Sequence, residues 1–328
     1  MYGTTLKDPS AFTLSRALAV AKALVDTPPA QSDAVRAAGH IIKENKPMRK
    51  FIRITILLLL TMSSVQAATV KTISIDSRKM GKKIPATLIL PDSYNDNTQR
   101  FPVLYLLHGA GGSHAGWNAR TDVATLSDEY GIIIICPDGG HTSWYFDSPI
   151  DPTYQYETFV AKECVTHMDQ NYRTKARRDS RALCGLSMGG HGAMFLAIRH
   201  QDVFSVAVAL SGGVDIRPFP NHWNIKKRIG SIETHKENWE TYTVINLAKN
   251  LHDGELAISI DCGDRDFFLN VNRALHAQLL EAGITHEYVE KPGKHNWIYW
   301  RGAIKRQMPF IDKHFRKSKI VEQAEKTL

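Results

Sequence analysis

Short apolar runs recur along the chain, separated by longer stretches with mixed polarity. The runs at 101–107, 131–136, 181–186, 204–210 and 256–261 are largely apolar, as strands buried on both faces are. Residues 285–289 form a further short run, and 70–76 and 84–90 alternate or run apolar around a polar, Gly81-containing turn, which predicts a hairpin. Between the runs, 154–171, 188–199, 244–251, 268–282 and 298–315 carry helical patterning. Strands that alternate with helices predict an α/β fold: about eight strands in one mostly parallel sheet, with helices on both faces. Residues 214–242 break the pattern. They are polar, contain Pro218, Pro220, Trp223 and Trp239, and read as an insertion over the sheet edge, a lid or a substrate wall. No internal repeat or low-complexity stretch interrupts the chain.

The N-terminal region follows a different logic. From Met48, the chain reads as a positive stretch (Arg49, Lys50, Arg53), a short apolar run over about 54–62, and small or compact residues at Val65 and Ala67. That is the anatomy of an export signal cleaved near Ala67. The apolar run is shorter than the ~20 residues a spanning helix needs. No Cys stands at the cleavage point, so no stable membrane anchor is expected. An export signal belongs at a chain start, which makes Met48 the expected start and residues 1–47 an upstream extension that is not native. The competing view is a genuine N-terminal helix, since 11–25 is rich in Ala and Leu. On the first view, 48–67 is the signal and 68–328 a single catalytic domain, periplasmic or extracellular.

Charge adds little once it is apportioned. The 328 residues carry a net charge of +8. Residues 1–67 hold nine Lys and Arg against four Asp and Glu, which leaves only +3 for the rest. A body this close to neutral gives no support for nucleic-acid binding. Hydrophobic residues make up 43% and charged residues 23%, which excludes a disordered, collagenous or coiled-coil chain. Of the four cysteines, Cys136, Cys184 and Cys262 sit at or near the ends of apolar runs, and they read as buried thiols. No Cys/His spacing suggests a metal site, and none is expected.

The chemistry concentrates at Gly185-Leu186-Ser187-Met188-Gly189-Gly190. This G-x-S-x-G sits between a strand and a helix, the context of a nucleophile elbow, where a sharp turn lifts the serine hydroxyl above the sheet. A base and an orienting acid should follow in chain order. Asp261, Asp264 and Asp266 leave the strand at 256–261. Asp261 still belongs to it, and position alone leaves Asp264 and Asp266 as equal candidates. His295 lies in the turn between the last strand and the final helix, where the base belongs, whereas His286 lies inside that strand and reads as structural. An oxyanion hole needs two backbone N–H groups: one from Met188, after the nucleophile, and one from the loop His108-Gly109-Ala110-Gly111-Gly112. His108 reads as a residue that positions this loop.

With these residues in place, the sequence resembles the putative-esterase family of α/β-hydrolases. That family includes feruloyl and acetylxylan esterases of carbohydrate esterase family 1, tributyrin-type esterases, S-formylglutathione hydrolases and mycolyltransferases. The matching pieces are the run from Pro102 to Gly109, Trp117, Pro137-Asp138-Gly139, Ser143-Trp144-Tyr145, Gly185 to Ala193 and Gly293 to Trp300, in family order over about 70–315. The resemblance implies an α/β-hydrolase fold, Ser187 as nucleophile and His295 as base. It favours Asp266 over Asp264 through the pattern Cys-Gly-x-x-Asp-Phe, and gives Ala110 and Met188 as oxyanion donors. It requires no cofactor. Lys294 departs from the pattern, where a small residue is expected, and is a candidate for perturbing the base or binding an acidic substrate.

The expected activity is therefore an exported serine esterase working through an acyl-enzyme. Its expected partner is an ester, such as an acetylated or feruloylated polysaccharide or oligosaccharide, and Trp144 and Trp297 are candidates for stacking on it. The alternatives are a thioesterase like S-formylglutathione hydrolase, an acyltransferase using the same triad, and a catalytically silent binding module.

Overall fold

The computed structural model describes residues 67–95 and 98–325. The extension at 1–47 and the signal at 48–67 lie outside these residues, Ala67 excepted. Residues 66–328 cluster as one compact unit. Its eight strands are β1 (Thr69–Ser77), β2 (Lys82–Leu90), β3 (Val103–Leu107), β4 (Ile133–Pro137), β5 (Arg181–Leu186), β6 (Val206–Leu210), β7 (Ala257–Gly263) and β8 (His286–Lys291). They form one sheet in the order β1-β2-β4-β3-β5-β6-β7-β8. Only β2 runs against the others, pairing antiparallel with both β1 and β4. The first two strands form the expected hairpin, in which Ser77 pairs with Lys82 and Gly81 takes φ of 64° in the turn.

Each central strand feeds two cores. Val103, Tyr105 and Leu107 of β3 face one, and Leu104 and Leu106 face the other. That is the two-residue period of a strand buried on both faces. The first core is closed by α3 (Met188–Arg199) and α4 (Leu269–Glu281), through residues such as Phe195 and Leu275. The second is closed by α1 (Val123–Tyr130) and α5 (Trp297–Glu325), through Leu126 and Ile304. Helix α2 (Val165–Asn171) ends a longer helical stretch whose preceding six residues, Phe159–Cys164, are π-helical. All four cysteines are buried and free, and burial raises each thiol pKa well above its ordinary value.

Strand order also locates the reactive edge. The chain leaves β3 through α1 on one face, and leaves its neighbour β5 through α3 on the other. The crevice at such a switch point, beyond the carboxyl ends of the strands, is where open α/β sheets bind ligands.

Two expectations need correction. Helix α1 and the short helix Gly116–Arg120 fall in a stretch that hydrophobic pattern left blank. The insertion does not cover a sheet edge, since the edges are β1 and β8. It packs above the interior, with Tyr242 against Phe146 and Phe195, and Trp223 against Phe268. The chain enters it from the end of β6, an inner strand, so its apolar residues reach the main core rather than the rim.

Candidate active site

Ser187 occupies the turn between β5 and α3 with φ of 56° and ψ of −119°, a backbone region that a side chain rarely adopts. Its neighbours impose this conformation. A Cβ on Gly185 would stand 2.2 Å from the Gly189 carbonyl oxygen, and one on Gly189 would stand 2.4 Å from that of Leu107. Only glycine lets the elbow press against β3. The Ser187 N–H donates to the Leu210 carbonyl at 2.9 Å, which anchors the turn to β6. The helix N-terminus directly behind Ser187 favours developing negative charge.

The turn after β8 brings His295 over this serine. Its Nε2 lies 2.9 Å from Ser187 Oγ, and its Nδ1 lies 2.9 Å from both carboxylate oxygens of Asp266. Hydroxyl, imidazole and carboxylate thus form a continuous chain. The Asp266 side chain is fully shielded from solvent, and its Oδ1 also accepts the Phe268 N–H at 2.8 Å. Aromatic rings fix the plane of the imidazole: Phe267 at 4.1 Å, and Trp300 edge-on at 4.9 Å. Trp300 is itself held by its indole N–H, which donates to Ser211 Oγ at 3.1 Å.

The two acids that sequence position left equal are separated by geometry. Asp264 is exposed and accepts the Gly293 N–H at 2.9 Å, while the Arg265 N–H donates to the Gly293 carbonyl. Asp264 therefore staples the acid loop to the histidine loop without reaching the imidazole. Asp261 stays in β7 and is wholly buried, where it accepts hydrogen bonds from Tyr299, Arg306 and Gln307.

The loop after β3 supplies the opposite wall. Among the described residues, no protein acceptor takes the N–H of Ala110 or of Met188. His108 holds the loop from below. Its Nε2 accepts the Gly139 N–H at 2.8 Å, so its proton sits on Nδ1 and is donated to the Gly109 carbonyl. Burial lowers its pKa, which keeps this tautomer neutral. Trp117 ties down the same strand end by donating to the Leu107 carbonyl at 3.0 Å.

These parts enclose a cleft of about 500 Å³. Ser187, His295 and Ala110 line it, and so does Trp297. Trp144 does not. It is 1% exposed, lies edge-on to His191, and donates its indole N–H to the Trp223 carbonyl. Its packing places it beneath the site. Trp223 lines the cleft in its place, stacked at 18° on the exposed ring of Phe267. Arg120 also lines the cleft, whereas the exposed Lys294 is absent from its walls. Neither Trp223 nor Arg120 had a motif to mark it, although the aromatic content of 214–242 pointed to a wall; Phe267 closes the Cys-Gly-x-x-Asp-Phe pattern but was not read as a cleft residue. Among the described residues, no three His, Cys, Asp or Glu side chains gather to hold a metal, and no helix is long and apolar enough to cross a membrane.

An eight-stranded, mostly parallel sheet with a serine elbow at its switch point defines an α/β-hydrolase. More narrowly, the chain belongs to the putative-esterase family, whose model matches residues 77–311. It is 25% identical over 256 residues to an acetyl esterase of Caldicellulosiruptor saccharolyticus, covering 72% of this chain and 96% of that protein. It is 36% identical over 137 residues to an esterase of Mycobacterium tuberculosis, covering 40% of this chain but only 29% of that protein's length. Among solved structures, it is similar to a ferulic acid esterase with a TM-score of 0.67 and 29% identity, covering 76% of this chain and 99% of that one.

Proposed function

We propose that the chain is an exported serine esterase that removes acetyl or feruloyl groups from small esters or from acylated saccharides. The observation that carries the mechanism is the unbroken 2.9 Å chain from Ser187 through His295 to Asp266. Ser187 Oγ attacks the ester carbonyl while His295 Nε2 takes its proton. Asp266, acceptor at Nδ1, fixes the tautomer that leaves Nε2 free to accept, and stabilises the imidazolium once formed. The Ala110 and Met188 amides receive the oxyanion, each worth roughly 3 kcal/mol in the transition state. His295 then protonates the leaving alcohol, and later activates the water that releases the acid.

Two facts favour the acyl groups named. The similar acetyl esterase is matched over nearly its whole length, and the similar ferulic acid esterase over 99% of its chain. The cleft between Trp223, Phe267 and Trp297 also offers flat apolar faces to an aromatic acid or a sugar ring. Export rests on the residues around Met48 to Ala67, and one contact is consistent with it. The Ala68 backbone nitrogen lies 2.8 Å from Asp128 Oδ2. Cleavage after Ala67 would turn that amide into an ammonium already facing a carboxylate, a stronger bond than the neutral one.

The test is hydrolysis of 4-nitrophenyl acetate, methyl ferulate and acetylated xylan by the wild type and by Ser187→Ala. Turnover that the variant loses supports the proposal. Equal rates for both proteins would overturn it. Mass spectrometry of the native protein is expected to find Ala68 as the first residue, and a mature start before Met48 would remove the export half.

A further inference from the structure

One cation stands in the cleft that ester hydrolysis does not itself require. Arg120 ends the short helix Gly116–Arg120 and lines the same cleft as Ser187 and His295. Its guanidinium carbon lies 5.4 Å from the centre of the Trp297 ring. That indole is held by two others, meeting Trp117 at 5.3 Å and Trp300 at 5.4 Å, each nearly perpendicular. The Arg120 carbonyl accepts from Arg301 Nε at 2.9 Å, which steadies the backbone beneath the side chain.

Among the described residues, the charge of Arg120 has no acidic partner: no carboxylate lies within ion-pair distance of it. The acid two residues on, Asp122, is bound by Lys305 at 2.5 Å, and that contact holds its carboxyl below the usual range. A guanidinium held over an indole face still has N–H groups to offer a planar, two-pronged acceptor. The cleft thus presents an aromatic floor with an uncompensated planar cation beside it, on the same cavity as the serine.

We propose that Arg120 is a specificity residue that receives a carboxylate carried by the ester, while Trp297 supports the adjoining flat or apolar part. This rests on the esterase assignment of the cleft and names its substrate class: esters with a free acid on either the acyl or the alcohol half. The anionic group is held by the arginine fork, and the reacting carbonyl lies against Ser187.

Binding and turnover test it separately. In Ser187→Ala protein, tryptophan fluorescence is titrated with benzoate and with benzamide. Arg120 is exposed, so benzoate is expected to bind about two- to fivefold more tightly, the range of an exposed charge-assisted pair. Adding Arg120→Gln is expected to erase the difference, and Arg120→Lys to keep part of it. Raising ionic strength from about 0.02 to about 0.5 M is expected to shrink the preference only where the cation remains. Turnover by the Ser187 enzyme then locates the acid. Mono-4-nitrophenyl succinate against 4-nitrophenyl butyrate reads the acyl half, and 4-acetoxybenzoate against 4-acetoxybenzamide reads the alcohol half. The anionic member of one pair is expected to gain in kcat/KM, with the gain lost in Arg120→Gln. Equal binding of benzoate and benzamide, no binding of either, or a preference untouched by Arg120→Gln would each overturn the proposal. If no ester is cleaved faster than by Ser187→Ala, the esterase assignment fails, and the fluorescence titration still decides the anion site.

Discussion

Tyr299 donates its phenol to Asp261 at 2.5 Å, joining the helix that begins just after His295 to the strand that leads to Asp266. The bond lies wholly inside the protein, where Arg306 and Gln307 of the same helix share the carboxylate. Burial, and then Asp261 itself, raise the Tyr299 pKa far above its ordinary value, so the phenol stays a donor. Acid and base of the candidate triad are thus held together from behind as well as through their own contact.

Tyr299→Phe should therefore act at a distance. It leaves a buried carboxylate one donor short, at a cost of about 1–3 kcal/mol. The melting temperature is expected to fall, and kcat to fall several-fold more than KM changes. A normal melting temperature with unchanged kcat would show that Arg306 and Gln307 suffice.

Asp264 and Asp266 should separate cleanly. Asp266→Asn keeps the shape but loses the acceptor that fixes the imidazole tautomer, and kcat for 4-nitrophenyl acetate is expected to drop by about 10³ to 10⁴. Asp264→Ala removes the loop staple to the Gly293 N–H and is expected to cost less than tenfold. The reverse order would mean that the acid was assigned to the wrong residue.

His191 should shape the acid side of the stability curve. It is fully buried among Trp144, Phe146 and Phe195, and burial pulls its pKa from 6.5 down to about 3. The unfolded chain takes up a proton below about pH 6.5 that the folded chain refuses until about pH 3. The unfolded state then binds more protons, so stability falls as pH drops through that window, by up to about 1.4 kcal/mol per pH unit from this group. Denaturant melts at several pH values are expected to show a shallower acid limb for His191→Phe. His108, His167 and His276, lowered in the same direction, stay in place as further contributors.

Gly189→Ala should damage the elbow itself. Its Cβ would meet the Leu107 and His108 carbonyl oxygens at 2.4 and 2.7 Å, both backbone atoms that cannot swing aside. A loss of at least ~2 kcal/mol and near-complete loss of esterase activity are expected, read by thermal melts and 4-nitrophenyl acetate turnover. Activity close to wild type would mean that β3 and the elbow can part without consequence.

Much of this architecture was legible from pattern. Buried parallel strands must be apolar on both faces, and strands such as 103–107 advertise themselves as unbroken runs. The elbow is equally legible, because a turn pressed against β3 tolerates only glycine around the serine. Helix α1 was not. It is short and buries only Val123, Leu126 and Ser127 before the polar Asp128 and Glu129, so its apolar face is too brief to register.

The sequence by itself determined the alternation of strands and helices, the serine at the elbow, and the order of serine, acid and histidine, since each follows from local sterics or chain order. Position along the chain left Asp264 and Asp266 open, the family pattern favoured Asp266, and the tertiary structure sets the Asp266 carboxylate against His295. The two stand two residues apart on one loop, and the difference lies in where that loop turns against the next. It likewise decided that Trp144 is buried while Trp223, Phe267 and Arg120 face the cleft. A side chain's exposure is set by what packs over it, and those neighbours come from segments distant in the chain.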